Sequence, residues 1–234
     1  MSFSPPRTFR ALIALLALLG VADAAQALGQ ASGCPAMAPT FRNVVEEPSY
    51  ERGLGIQGIE ALPHLHARSN PIERIYGLYT SKLVGTLDMS LDGRMEGSQV
   101  AVCFSRFDAT LTLNSTIHVA REFPTGSCAE RAVSEHEFHH HQIQVSTQQA
   151  AVAAFLARNP MPTIPFRGSD VASARALARQ WGDAYLQTLS RSAMQFAQPL
   201  QQDFDSPSEY RRVNSLCPAE FSRVLLAIPR RAAH

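Results

Sequence analysis

The sequence has almost no net charge and few cysteines, and each shortage argues against a class of protein. Its 21 basic and 20 acidic side chains leave a formal net charge of +1, which gives no field to gather nucleic acid or an anionic membrane. Four cysteines are present, but none form a C-x-x-C pair, so a cysteine zinc site is not expected. The sequence also lacks internal repeats and low-complexity tracts, which argues against a repeat architecture.

Only one long hydrophobic run occurs, and it lies near the start of the chain. Arg7 and Arg10 precede an apolar run over residues 11–19, and small residues follow around residues 22–27. This pattern is typical of a secretory signal peptide, and the run is too short for a good membrane span. We therefore expect a signal peptide over residues 1–27. Residues 28–234 should form one domain of a periplasmic or secreted protein, without an integral membrane segment.

All four cysteines follow the expected signal peptide; they are Cys34, Cys103, Cys128 and Cys217. An even number in an exported protein predicts two disulfides, and three connectivities are open. The residues before Cys34 loosely resemble a lipoprotein cleavage box, so lipidation of Cys34 is an alternative.

The most informative pattern is H-E-x-x-H, formed by His136, Glu137 and His140. Residues four apart lie on the same side of a helix, so the two imidazoles can bind one cation. Glu137 is placed to take a proton from a zinc-bound water, whose pKa the metal lowers to about 7. The pattern predicts a zinc site that hydrolyses amide bonds. His139 is an alternative partner for His136, and His141 is interpreted as a solvated neighbour.

The surrounding sequence places this motif inside a helix. Residues 127–130 form a capping box that predicts a helix start at Cys128, and Asn159-Pro160 should end the helix near Arg158. The positions that follow the spacing of one buried face are Ala129, Ala132, Val133, His136, His140 and Ile143. Both histidines should therefore face inward.

Strand patterns precede the motif and helix patterns follow it. Residues up to about 70 are rich in turn formers, and strands are predicted over residues 76–89, 98–104 and 109–121, with a hairpin turn at Asp92-Gly93. A second long helix should start near Ser169, and a short one should run from Ser206 to about Leu216. This order indicates an α+β domain with an antiparallel sheet packed on the motif helix.

These residues resemble the zincin metallopeptidases. The segment from Ile117 to Phe123, continued from Gly126 into the motif, is also similar to bacterial exported proteins described as zinc-dependent proteases, and the stronger similarity covers roughly residues 100–146. The resemblance implies that His136 and His140 bind Zn²⁺ and that Glu137 is the catalytic base.

The third zinc ligand does not follow from the resemblance. The extended metzincin motif needs histidine or aspartate at position 146 and glycine at 143, where this chain has Ser146 and Ile143. Gluzincins and aspzincins use a carboxylate from a later segment. The candidates here are Asp183, Asp203, Asp205 and Glu209.

Helix geometry ranks these carboxylates. If Cys128 pairs with Cys217, Glu209 lies level with His136 and Asp205 lies one turn further on. We therefore expect Glu209 as the third ligand and Asp205 as the alternative, while capping of the helix at Ser206 is the structural explanation for Glu209.

The sequence predicts an exported zinc-dependent peptidase that acts on peptide or protein substrates. Tyr210 would stabilise an oxyanion if Glu209 binds the metal, whereas His118 is expected to be a surface or hydrogen-bonded residue. The alternative function is a non-catalytic metal-binding module that also uses the cluster at residues 139–141. A third possibility is an interaction domain in which the motif is coincidental.

Overall fold

The computed structural model describes residues 33–62 and 74–227, so the predicted signal peptide lies outside the described residues. Within them a mixed sheet precedes and packs against several helices, as the order of the sequence patterns predicts. The elements are β1 (Thr40–Val45), β2 (Ser49–Glu51), α1 (Ile56–Glu60), β3 (Gly77–Glu96), β4 (Gln99–Val119), α2 (Cys128–Arg158), β5 (Phe166–Gly168), α3 (Val171–Phe196), α4 (Gln198–Phe204), α5 (Pro207–Leu216) and α6 (Pro218–Ala227).

Strand β4 lies at the centre of the sheet. It pairs antiparallel with β3 along almost its whole length, and also antiparallel with β5. Strands β1 and β2, however, run parallel to β4, so the sheet is mixed and not antiparallel throughout. A tight hairpin fixes an antiparallel direction, and neither β1 nor β2 is joined to β4 by one.

The hairpin turn between β3 and β4 lies at residues 97–98. Gly97 has a φ of +64°, the left-handed conformation that two-residue hairpin turns favour. The predicted turn at Asp92-Gly93 is wrong, because Gly93 lies inside β3 and pairs with Val102. The predicted second and third strands are both part of the continuous β4.

The motif helix α2 begins and ends where the sequence predicts. The Ser127 side chain accepts a hydrogen bond from the Glu130 N–H, and Arg158 is the last helical residue. Helix α5 also follows its prediction. Helices α4 and α6 are additional, and Pro199 lies in the first turn of α4, where its missing N–H costs no helical hydrogen bond.

Two apolar clusters form the core at opposite ends of α2. The α3 cluster joins the end of α2 to α3 and the sheet, and includes Phe107, Leu111 and Phe155. The α5 cluster joins the start of α2 to α5 and α6, and includes Val133 and Phe221. The centre of α2 therefore lies between two hydrophobic regions.

Both predicted disulfides are present, as Cys34–Cys103 and Cys128–Cys217. Two disulfides are consistent with an exported protein. The Cys34 sulfur is committed to Cys103, which argues against the lipidation alternative. Among the residues that the structure describes, no helix combines the length and apolar character needed to cross a membrane.

Candidate metal centre

The middle of α2 buries mostly polar side chains, whereas most of the side chains buried toward its ends are apolar. The buried polar residues of this helix are Glu130, His136, Glu137, His140, His141, Gln144, Thr147 and Gln148. Positions 136, 140, 144 and 148 are spaced by four, so they form one stripe along the helix. The predicted inward position, Ile143, is only half-buried, and Gln144 occupies the buried face. This face of α2 needs polar partners from another segment.

That segment is the junction between α4 and α5, which supplies Asp205. Its Oδ1 lies 3.0 Å from Nε2 of His140 and 3.4 Å from Nε2 of His136. The three possible ligand atoms all lie within 4.8 Å of one another. Among the described residues, His136, His140 and Asp205 are thus a group that could hold a metal ion.

Hydrogen bonds on the outer side of each imidazole fix how the rings face. Nδ1 of His136 lies 3.3 Å from Oε1 of Glu209, and Nδ1 of His140 contacts Oε1 of Gln201. Gln201 also donates from Nε2 to the His140 carbonyl at 2.9 Å, which fixes the orientation of its amide. Both outer partners are acceptor oxygens that a proton on Nδ1 would satisfy, and each Nε2 faces a further acceptor, Oδ1 of Asp205.

Asp205 is held by its place in the chain and by a tyrosine. It directly follows α4, and Ser206 then caps α5. The Tyr210 hydroxyl donates to Oδ1 of Asp205 at 3.1 Å. Tyr210, considered from the sequence as an oxyanion donor, therefore contacts the candidate ligand directly.

Glu209 lies beside the centre but outside the group of possible ligand atoms. It contacts His136 on Nδ1, the ring nitrogen that faces away from Asp205. Arg212 donates to both Glu209 oxygens, at 2.7 and 2.6 Å. These bonds from Arg212, followed by the contact with His136, lower the pKa of Glu209. Glu209, the expected ligand, thus lies where a carboxylate would orient His136 as a candidate ligand.

The position of Glu209 relative to His136 nevertheless follows the predicted geometry. The sequence argument required the Cys128–Cys217 disulfide, which is present. With that pairing, Glu209 is level with His136, as expected. The sequence does not determine which of the two ring nitrogens of His136 contacts Glu209.

The charges around His136 favour a cation between these side chains. Burial alone would lower the pKa of His136, but Asp205, Glu137 and Glu209 together raise it above its ordinary value. If both rings are neutral with the proton on Nδ1, each Nε2 lone pair faces the Asp205 oxygen and is repelled by it. A proton or a metal ion between these atoms would remove the repulsion.

Glu137 lies near His140 on the buried side of α2. Glu137, His140 and Asp205 line one cleft. Glu137 is buried, because strand β3 passes directly over it. A Cβ on Gly77 would lie only 2.8 Å from Oε1 of Glu137, so glycine at this position permits the close approach. The cleft has a volume of about 320 Å³.

The other two histidines of the run do not join this centre. His139 is exposed and contacts Phe204 in a tilted arrangement, with ring centroids 4.2 Å apart. The prediction that His141 is solvated is wrong, because it is buried and its Nδ1 lies 3.1 Å from Oγ of Ser115. Burial lowers the pKa of His141, so the neutral form is favoured.

Three other residues considered from the sequence, Asp183, Asp203 and His118, lie outside the group of possible ligands. Asp183 and Asp203 are exposed. His118 is mostly buried, with Nε2 3.3 Å from Oγ1 of Thr80 and Nδ1 3.3 Å from a Glu51 oxygen. Within the described part of the chain only its Nε2 is hydrogen-bonded, to Thr80 of the sheet, because the approach of Nδ1 to Glu51 lacks hydrogen-bond geometry.

Sequence reasoning did not anticipate Gln201 or Phe204. Phe204 stacks on His136, with ring centroids 4.8 Å apart, and meets the edge of His140. Only recognition of α4 as a helix that ends at Asp205 would have brought these two residues to the centre.

Comparison with known proteins does not extend this description. No protein-family model, curated protein or solved structure matches the chain.

Proposed function

We propose that this protein is an exported zinc-dependent peptidase. The observation that carries the proposal is the convergence of His136, His140 and Asp205 within 4.8 Å, with Glu137 in the cleft that His140 and Asp205 line. The H-E-x-x-H spacing of His136, Glu137 and His140 is the pattern that such a function uses.

The donor set suits zinc. Two imidazole nitrogens and one carboxylate oxygen are a common set of protein ligands in catalytic zinc sites, which keep a further position open. Tetrahedral coordination at about 2.0–2.1 Å separates ligand atoms by roughly 3.3 Å. The distances of 3.0 and 3.4 Å from Asp205 to the two histidines are close to this value.

The residues around these donors have separate roles. A bound zinc ion would supply Lewis acidity and acidify water. Glu137 accepts a proton from water in the cleft and transfers it to the departing amine, as a general base and then a general acid. Glu209 and Gln201 hold the imidazole rings by their Nδ1 atoms, and Tyr210 holds Asp205.

The sheet offers a place for an extended peptide. Residues 78–81 of β3 line the cleft beside Glu137. Among the described residues, β3 pairs only with β4, so its other edge is available for backbone hydrogen bonds to a substrate strand.

The first experiment measures zinc per chain in the oxidised protein that lacks residues 1–27. We expect one zinc in the wild type, none in the double variant His136→Ala, His140→Ala, and little in Asp205→Ala. His139→Ala is the matched control on the same helix and should keep its zinc. No zinc in the wild type would overturn the proposal.

The second experiment tests catalysis in the zinc-loaded protein. We expect hydrolysis of unfolded protein substrates by the wild type and about 10²- to 10⁴-fold slower hydrolysis by Glu137→Gln. Zinc binding without hydrolysis in either protein would instead support the metal-binding module. Loss of zinc in Glu209→Ala, with retention in Asp205→Ala, would restore Glu209 as the third ligand.

A further inference from the structure

One buried polar group in the cleft has no role in the centre described above. Gln144 lies on α2 one turn after His140, is only 2% exposed and lines the same cleft. Its Nε2 has no hydrogen-bond partner among the described residues. A buried amide N–H without an acceptor is uncommon, because it loses the hydrogen bonds it makes in water.

We propose that Gln144 is a specificity residue that binds a side-chain carboxamide of the substrate, from asparagine or glutamine. The inference rests on the proposed peptidase function. The Nε2 group is a donor, so the substrate must present an oxygen acceptor.

The charge of the cleft selects between the possible acceptors. Among the described residues that line it, Glu137 and Asp205 are acidic, and no lysine or arginine is present. A substrate carboxylate at Gln144 would meet these acidic groups with no lysine or arginine side chain to pair with, whereas a neutral carbonyl oxygen would not be repelled. The favoured acceptor is therefore uncharged.

Neighbouring residues complete a subsite of the right character. Met194 is half-buried and supplies an apolar wall, and Gln198 is exposed on the same cleft. A substrate carboxamide can accept from Gln144 with its oxygen and donate to the Gln198 amide oxygen with its nitrogen. The aliphatic part of the substrate side chain would contact Met194.

The test determines cleavage sites by mass spectrometry in a peptide library made from a digested proteome. The proteins compared are wild type, Gln144→Leu and Gln144→Glu, with Gln142→Leu as the control because Gln142 is exposed on the same helix. Zinc content and melting temperature are measured for each. We expect the wild type to enrich asparagine and glutamine at one position beside the cleaved bond.

The variants should change this preference in defined ways. Loss of one hydrogen bond in Gln144→Leu should reduce the enrichment by roughly 2- to 12-fold. Gln144→Glu should shift it toward lysine and arginine, and Gln142→Leu should retain it. Cleavage by the wild type without a carboxamide preference, or the same preference in Gln144→Leu, would overturn this inference alone. No cleavage by the zinc-loaded wild type would overturn the proposed function as well.

Discussion

The two ends of α2 and its centre are equally buried but chemically different. Val133 at one end and Phe155 at the other are each 3% exposed and pack in apolar clusters. His136 and Glu137 in the centre are each 5% exposed. Apolar burial stabilises the fold without a specific partner, whereas each buried polar group needs one.

The difference shows how one helix can serve two purposes. The apolar ends anchor α2 against α3 on one side and against α5 and α6 on the other. The centre receives its partners from a separate segment, residues 201–212, which the α5 cluster and the Cys128–Cys217 disulfide hold in place. The apolar residues toward the ends of α2 thus position the buried polar residues in its centre.

Replacement of Glu137 should have the largest effect on activity and little effect on the fold. In Glu137→Gln we expect kcat/KM to fall by about 10²- to 10⁴-fold, because the proton acceptor is lost. The melting temperature and zinc content should stay close to those of the wild type. Glu135→Gln is the control, since Glu135 is exposed two positions away. Peptide hydrolysis at saturating zinc measures the difference, and equal rates in both variants would remove Glu137 from catalysis.

Replacement of Phe155 should have the opposite effect. Phe155→Ala leaves a cavity in the α3 cluster, and we expect it to lower the free energy of unfolding by about 3–5 kcal/mol. The folded fraction should still bind one zinc. Phe138→Ala, on the same helix but 37% exposed, should cost much less. Denaturant unfolding monitored by circular dichroism distinguishes them, and a comparable loss in both would contradict the assignment of Phe155 to the core.

Replacement of Glu209 should have an intermediate effect on the centre. Glu209→Ala removes the acceptor that holds Nδ1 of His136, and we expect zinc affinity to fall by about 10- to 100-fold with the stoichiometry unchanged. A competition titration with a chelator measures this. Asp203→Ala is the control, because Asp203 is exposed in the same segment. Unchanged affinity in Glu209→Ala would exclude an orienting role.

Replacement of Glu130 should have the smallest effect and should depend on pH. Burial alone would raise the pKa of Glu130, but hydrogen bonds from Arg52 and from the Gly126 N–H lower it below 4.5. The ionised form therefore stabilises the fold above about pH 4.5, and this contribution is lost as the pH falls through the lowered pKa.

We expect Glu130→Gln to cost about 1 kcal/mol at pH 7, since Arg52 is partly exposed and its charge is screened. The cost should shrink toward pH 3. Urea unfolding at several pH values, with Glu135→Gln as reference, measures this trend. A penalty that stays constant from pH 7 to pH 3 would contradict the shift.

Local patterns predicted the motif helix well. The Ser127 cap and the Asn159-Pro160 pair define both ends of α2 through hydrogen bonds and backbone geometry that involve only nearby residues. The hairpin turn was harder to predict, because Asp92-Gly93 and Gly97-Ser98 are both suitable turn sequences. Strand pairing, which depends on all of β4, decided between them.

The candidate centre depended on longer-range information. The sequence alone could not select Cys128–Cys217 over the other pairings, and the level of Glu209 and Asp205 along α2 follows from that disulfide. Nor could it show that Glu209 is engaged by Arg212, which leaves Asp205 beside both Nε2 atoms. Side-chain competition of this kind arises only after the helices have packed.

The Cys128–Cys217 bond closes a covalent ring that spans 89 positions, and His136, His140, Asp205 and Glu209 all lie within it. A closed loop of this size lowers the conformational entropy of the unfolded chain. In the chain-entropy model this raises the free energy of unfolding by about 4–5 kcal/mol. The two halves of the centre consequently remain tethered at a raised effective concentration even when the surrounding structure has melted. An oxidised chain that refolds therefore has less sequence to search before its histidines meet their carboxylates again.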